Sequence, residues 1–420
     1  MQGLACVCVK YTKTFFLLIA IYLAFAFIAC ILPSAPVHEH IVESLDKGKL
    51  VEDYPHVVFS GPECQMDNFT DALILSQVWN SNPKQVWHSM MLPSYSKEEG
   101  AMCDNLRMLA MSQYKGPNYA YPRYWHGSTF LMRVLLFFTN YTLLRFIFFA
   151  TSMLLLIWTT FRIWRVSGWM SCMLFFMPFL LLYGFVMQLS IQFFPVLVLS
   201  LIGCIMACNP EKNYSDFAFV LFMIGSFTAF FDLLTTPLLT FGLPLCIYLF
   251  VHKNRVEHQA WARSIFQISI CGISWMAAYG LTWSSKWFIA SMASSINVFR
   301  DATQQVTHRM GDLEDFNRWD AVMANINLPS WEGIVIVLII LLLLSVFRFN
   351  KKGIKPMLLF LLISLLPYAW YFCIANHSYL HYWFTYRLQM VSVMAWFMAL
   401  ASIVNWDFFD RLNHNFLRRH

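Results

Sequence analysis

Charge is what this chain has least of. Only 12% of its 420 residues are Asp, Glu, Lys or Arg, against about 25% in a soluble domain. Too few charges remain to coat a soluble surface of this size, which excludes a soluble enzyme, a disordered chain and a coiled coil. Internal repeats and low-complexity linkers are also missing, so the chain reads as one integrated membrane domain over residues 1–420. No A-x-A cleavage site follows the first apolar segment, which is read as a retained helix rather than a cleaved leader.

What the chain has instead is apolar mass. Hydrophobic residues make up 59%, with 40 Phe, 18 Tyr and 16 Trp, and the mean hydropathy is +0.55. A helix needs roughly 20 apolar residues to cross the hydrocarbon core. Ten segments qualify: about 13–33, 141–161, 168–187, 191–208, 216–231, 236–252, 264–283, 333–349, 356–375 and 388–406. The expectation is an all-α, polytopic protein of about ten spans in the cell membrane.

Lys and Arg in short loops set orientation. About half of the 29 Lys and Arg fall on one side, in Lys10–Lys13, Arg162–Arg165, Lys212, Lys253–Arg263, Arg348–Lys355 and Arg411–Arg419. That side is read as cytoplasmic, with both termini there. The net charge of +6 is then topological and implies no nucleic-acid partner. Two long segments, 34–140 and 284–332, lie outside. In the first, Asn68 to Trp79 reads as a short helix and 127–138 as an amphipathic helix on the membrane surface.

Most of the 11 Cys sit in the tail or the spans and read as small apolar residues. The Cys6–Cys8 pair lacks partners for a metal site. Cys64 and Cys103 share the first outer loop, where the compartment permits a disulfide; two unrelated thiols are the alternative.

Ionisable residues in or beside a bilayer are costly and mark candidate sites. Here they collect on the outer side: Asp67 and Asp71 in CQMDNFTDAL, Arg123, Tyr124, Trp125 and His126 in YPRYWH, Asp232 in FFDLLTTPLL, Lys286 in SSKWF, Arg300, and His377, His381, Tyr386 and Arg387 in NHSYLHYWFTYR. Each also has a structural reading, as a helix cap, an interfacial anchor or an aromatic belt. Their shared side favours function. Carboxylates serve as a general base or hold a divalent metal, cations neutralise a phosphate, and Trp and Tyr suit sugar rings.

The motifs DNFTDAL, YPRYWHG, FFDLLTTPL, SSKWF with NVFRDA, and NHSYLHYWFTYR resemble those of a family of uncharacterised bacterial polytopic membrane proteins. They run from residue 67 to 387. In layout that family is similar to GT-C-fold glycosyltransferases, which use polyprenyl-linked sugars and carry an essential acidic residue in the first outer loop. The resemblance implies transfer of a sugar from a polyprenyl-linked donor to a glycan or lipid acceptor at the outer face. Asp67 or Asp71 would be the base, with Asp232 orienting the acceptor or helping bind a metal. Lys286, Arg387, His381, His377, Arg123 and Arg300 would hold the donor phosphate, and Tyr124, Trp125, His126 and Tyr386 the sugar or acceptor. A polymerase or ligase of surface polysaccharide would differ only in donor. A transporter or flippase of a lipid-linked or anionic substrate is the alternative; it predicts broken helices and a midplane site.

Overall fold

The computed structural model describes residues 2–48, 50–311 and 317–406, with 2–6 described by backbone alone. Arg411, Arg418 and Arg419, three of the charges used for orientation, and the Cys6 thiol lie outside the described residues. The described chain is mostly helical, with almost no strand. The principal helices are α1 (Gln2–Ile31), α2 (Ser34–Asp46), α3 (Asn68–Asn80), α4 (Gly127–Leu136), α5 (Tyr141–Ser167), α6 (Trp169–Leu181), α7 (Phe193–Ala207), α8 (Tyr214–Phe231), α9 (Leu239–Val251), α10 (Trp261–Ala293), α11 (Val298–Gly311), α12 (Arg318–Asn327), α13 (Glu332–Phe347), α14 (Ile354–Ser364), α15 (Leu366–Cys373), α16 (Ala375–Leu380) and α17 (Gln389–Ser402). One small antiparallel ribbon, β1 (Ser94–Ser96) with β2 (Asn118–Ala120), pairs Ser94 with Ala120.

Among the described residues, five helical stretches are long and apolar enough to cross a bilayer: Val7–Ile31, Tyr141–Ser167, Tyr214–Phe231, Trp261–Ala293 and Lys351–Cys373. A sixth arises if α12 and α13, bent by 82° at their junction, form one broken span. The segments expected at 168–187, 191–208, 236–252 and 388–406 are helices of 13, 15, 13 and 14 residues, shorter than a full crossing. The first stops because Tyr183 takes a left-handed conformation at φ 51°. α9 and α17 are buried along nearly their whole length, which is why their sequences are apolar on every face.

Small residues let helices touch. A Cβ at Gly225 of α8 would lie 2.4 Å from the Trp275 carbonyl of α10, so only glycine allows this approach. The segment between α1 and α5 forms its own core, in which α2, α3 and α4 pack with the start of α5. Arg133 of α4 is fully buried and donates to the carbonyls of Ala29 (2.9 Å), Leu32 (2.8 Å) and Val78 (3.0 Å) and to Ser34 Oγ (3.1 Å). This clamp ties the end of α1 to α3. The expected amphipathic helix at 127–138 is α4, one side of which packs into the protein. α4 is enclosed on the faces carrying Phe130, Met132, Arg133 and Leu136.

The Cys64–Cys103 disulfide is absent, and both thiols are free and buried. Cys64 closes a 3-10 turn at Pro62–Cys64. The Asp53 carboxylate holds the Cys103 amide at 2.9 Å, and Cys103 Sγ donates to the Asn68 carbonyl at 3.8 Å. Each cysteine is thus committed to its own local turn.

Candidate functional site

A polar pocket of about 180 Å³ lies where several connecting segments meet. Its walls are Tyr54, Asp67, Phe69, Thr70, Leu73 and Tyr121 from the first long segment, Gln192 before α7, Leu233 and Thr235 after α8, Arg309 from α11, and His377, His381, Trp383 and Phe384 after α15. Every lining residue comes from a stretch outside the five long apolar helices or from its own short turn.

Asp67 is the carboxylate on this pocket. As N-cap of α3 it accepts from the Thr70 amide at 2.9 Å, leaving its second oxygen for Gln192 Nε2. Thr235 Oγ1 donates to Gln192 Oε1 at 3.0 Å, and the Thr235 amide donates to Asp232 Oδ1 at 2.9 Å. One hydrogen-bonded line therefore runs Asp67, Gln192, Thr235, Asp232. Burial pushes the Asp67 carboxyl up to about 7, against the opposing hydrogen bond from Thr70.

Asp232 acts on backbone. It accepts from the amides of Leu234 and Thr235, each at 2.9 Å, and holds Leu234 at φ 71°. The Leu234 carbonyl then accepts from His377 Nε2 at 2.8 Å. His381 lies beside His377, with ring centroids 4.8 Å apart. Burial, and next the Arg309 charge, hold both histidines below their usual range, His381 down to about 4. Both therefore favour the neutral imidazole, and His377 uses it as a hydrogen-bonding group. Among the described residues, Arg309 is the one cation on the pocket wall. Its guanidinium donates to the Tyr124 hydroxyl.

The other candidates stand away from the pocket wall. Asp71 is fully buried; it accepts from the Tyr141 hydroxyl and the Ile191 amide (2.8 Å) and lies 3.5 Å from Arg145. It joins α3 to α5 and the turn before α7. Burial raises its carboxyl to about 6, opposed by Arg145. Lys286 is buried and donates to the Met90 carbonyl at 2.8 Å. Trp125 donates to the Thr282 carbonyl, and His126 Nε2 meets the Tyr121 carbonyl. Arg123 pairs with Asp301 at 3.3 Å and lies 4.4 Å from the Tyr121 ring centroid, which puts it just behind the wall. Tyr124 stacks on Trp283 and reaches the pocket wall through Arg309 and an edge contact with the Tyr121 ring. Tyr386 and Arg387 are buried and donate to the Glu63 carbonyl, Arg387 also to that of Gln65. Arg300 is exposed on α11. Among the described residues no group of three or more His, Cys, Asp or Glu converges to hold a metal ion.

Sequence reasoning missed Arg309 and Gln192. Gln192 had a usable signal, a lone amide in the apolar run LSIQFFPVL. Arg309 had none, since VFRDATQQVTHRMG is a mixed segment in which charged and polar residues are common.

The fold and pocket define an all-α protein with several bilayer-length helices and a small, mixed-charge cavity roofed by its connecting segments. No family model, curated protein or solved structure matches the chain.

Proposed function

We propose that the chain is a membrane glycosyltransferase of GT-C-like layout. It moves a sugar from a polyprenyl-phosphate-type donor to a glycan or lipid acceptor at the extracytoplasmic face. It crosses the bilayer about ten times with both termini cytoplasmic, the shorter helices spanning together with their neighbours. One observation carries the reading. The pocket is lined by segments that the charge bias puts outside, together with Gln192 at the outer end of the expected 191–208 span, and it unites a carboxylate, a cation and aromatic walls. A volume of about 180 Å³ suits one ring-sized group, well under the roughly 300–1,000 Å³ of drug-sized sites.

The chemistry follows from the groups. Asp67, ionised near neutrality, takes the proton of an acceptor hydroxyl. The acceptor oxygen bonds to the anomeric carbon as its bond to the phosphate oxygen breaks, inverting that carbon. The polyprenyl phosphate leaves with the electron pair, and Arg309 balances its charge. Gln192 and Thr235 aim the carboxylate. The bent α12–α13 pair is the feature that favours transport, but no pocket residue lies on it.

The test is mass spectrometry of surface glycans in a deletion strain carrying wild type, Asp67→Asn or Asp71→Asn. Asp67→Asn is expected to abolish the product at normal protein level, and Asp71→Asn to lower the protein level. Full product from Asp67→Asn would sink the base assignment.

A further inference from the structure

A second cavity system lies on the other side of the chain's charge bias, beside the α5–α6 hairpin. Ile157, Phe161 and Trp164 of α5 face Trp169, Met173 and Phe176 of α6 across an apolar groove of about 710 Å³. The few polar atoms there are turned inward: Thr160 Oγ1 donates to the Leu156 carbonyl at 2.8 Å, and Cys172 Sγ to the Thr160 carbonyl at 3.4 Å. The groove therefore offers a ligand nothing but hydrocarbon and aromatic surface.

Phe161 also lines a neighbouring pocket of about 500 Å³, which holds Arg162 and Arg165 against Cys208, Asn209 and Pro210. No ion pair among the described residues uses either arginine. Arg162 Nε is buried without a hydrogen-bond partner. Trp158, Trp164 and Trp169 are exposed beside them, the pattern of a helix end at the headgroup level. An unpaired double positive charge at that level, opening onto a dry groove that runs back along the span, needs a ligand with an anionic head and an apolar tail.

We propose that this groove and its arginine pocket bind an anionic phospholipid, with the acyl chains along α5 and α6 and the phosphate between Arg162 and Arg165. A soluble anion would leave the groove empty. A zwitterionic lipid would bring its own cation against two arginines. The site is independent of the outer pocket and of the reaction assigned to it.

The experiment uses the full chain in detergent, with native mass spectrometry and thermal unfolding in the presence of phosphatidylglycerol, phosphatidylcholine or inorganic phosphate. Wild type is expected to retain phosphatidylglycerol adducts and unfold at higher temperature with that lipid only. In R162Q/R165Q the affinity for phosphatidylglycerol falls by roughly tenfold or more, because two headgroup-level charges are lost. Ile157→Trp, at an exposed position that tolerates bulk, keeps both arginines and blocks the groove, and it too loses the adduct. Equal binding of phosphatidylcholine to wild type, full displacement of phosphatidylglycerol by inorganic phosphate, or undiminished binding in either variant would overturn the proposal. If R162Q/R165Q does not fold, Ile157→Trp decides alone.

Discussion

Asp67 sits where a carboxylate is hard to ionise, and that sets how the protein responds to pH. Its carboxyl titrates near 3.8 when unfolded and is pushed up to about 7 in the fold. Between those values the folded state binds the extra proton, so this group's contribution to stability is full below the unfolded value and is lost as pH rises through about 7. A base must be ionised, so activity moves the other way. Glycan output in membranes should rise along an acid limb centred near pH 7, while the unfolding temperature falls as pH rises from about 3.8 and levels off above about 7, and Asp67→Asn should flatten both. Arg309→Gln should cut output at least roughly tenfold with normal protein level, and Arg309→Lys should restore part of it. Sequence could pick out Asp67 and Asp71 together but not choose between them. Both are carboxylates in one turn of the same apolar helix, and only the partners of α3 decide which faces the pocket. Lys286 shows the converse. Burying its charge costs the same whether a substrate or the Met90 carbonyl answers it.

Helices were legible where local signals mark their ends. The expected 68–79 helix is α3, started by the Asp67 cap and ended at Asn80. The expected 216–231 segment is α8, capped by Asn213. Lengths were not legible where helices bury one another, because an apolar run reads the same whether it meets lipid or protein. The α8–α10 approach gives a sharp prediction at this scale. Gly225→Val puts side-chain atoms into the Trp275 carbonyl and should cost about 1–3 kcal/mol in a denaturant titration. Arg133→Met strips three backbone carbonyls of their donor and should cost about 3 kcal/mol or more in the same titration.

For the whole molecule, composition and charge bias foretold a helical membrane protein, while the pocket's membership was out of reach, since its walls are far apart in sequence. Topology is checked by cysteine labelling on a background lacking the exposed Cys8 and Cys373. Lys115→Cys should react in intact cells and Arg255→Cys only after permeabilisation; the reverse would invert the orientation. The pocket's walls run from Tyr54 to Phe384, and this has a consequence during synthesis. A chain released early inserts its first spans and keeps Asp67, yet it lacks the His377–Phe384 wall. Under the proposed reaction, truncated products would be inert in the membrane, and no lipid-linked donor would be consumed until the ribosome had delivered nearly the entire protein.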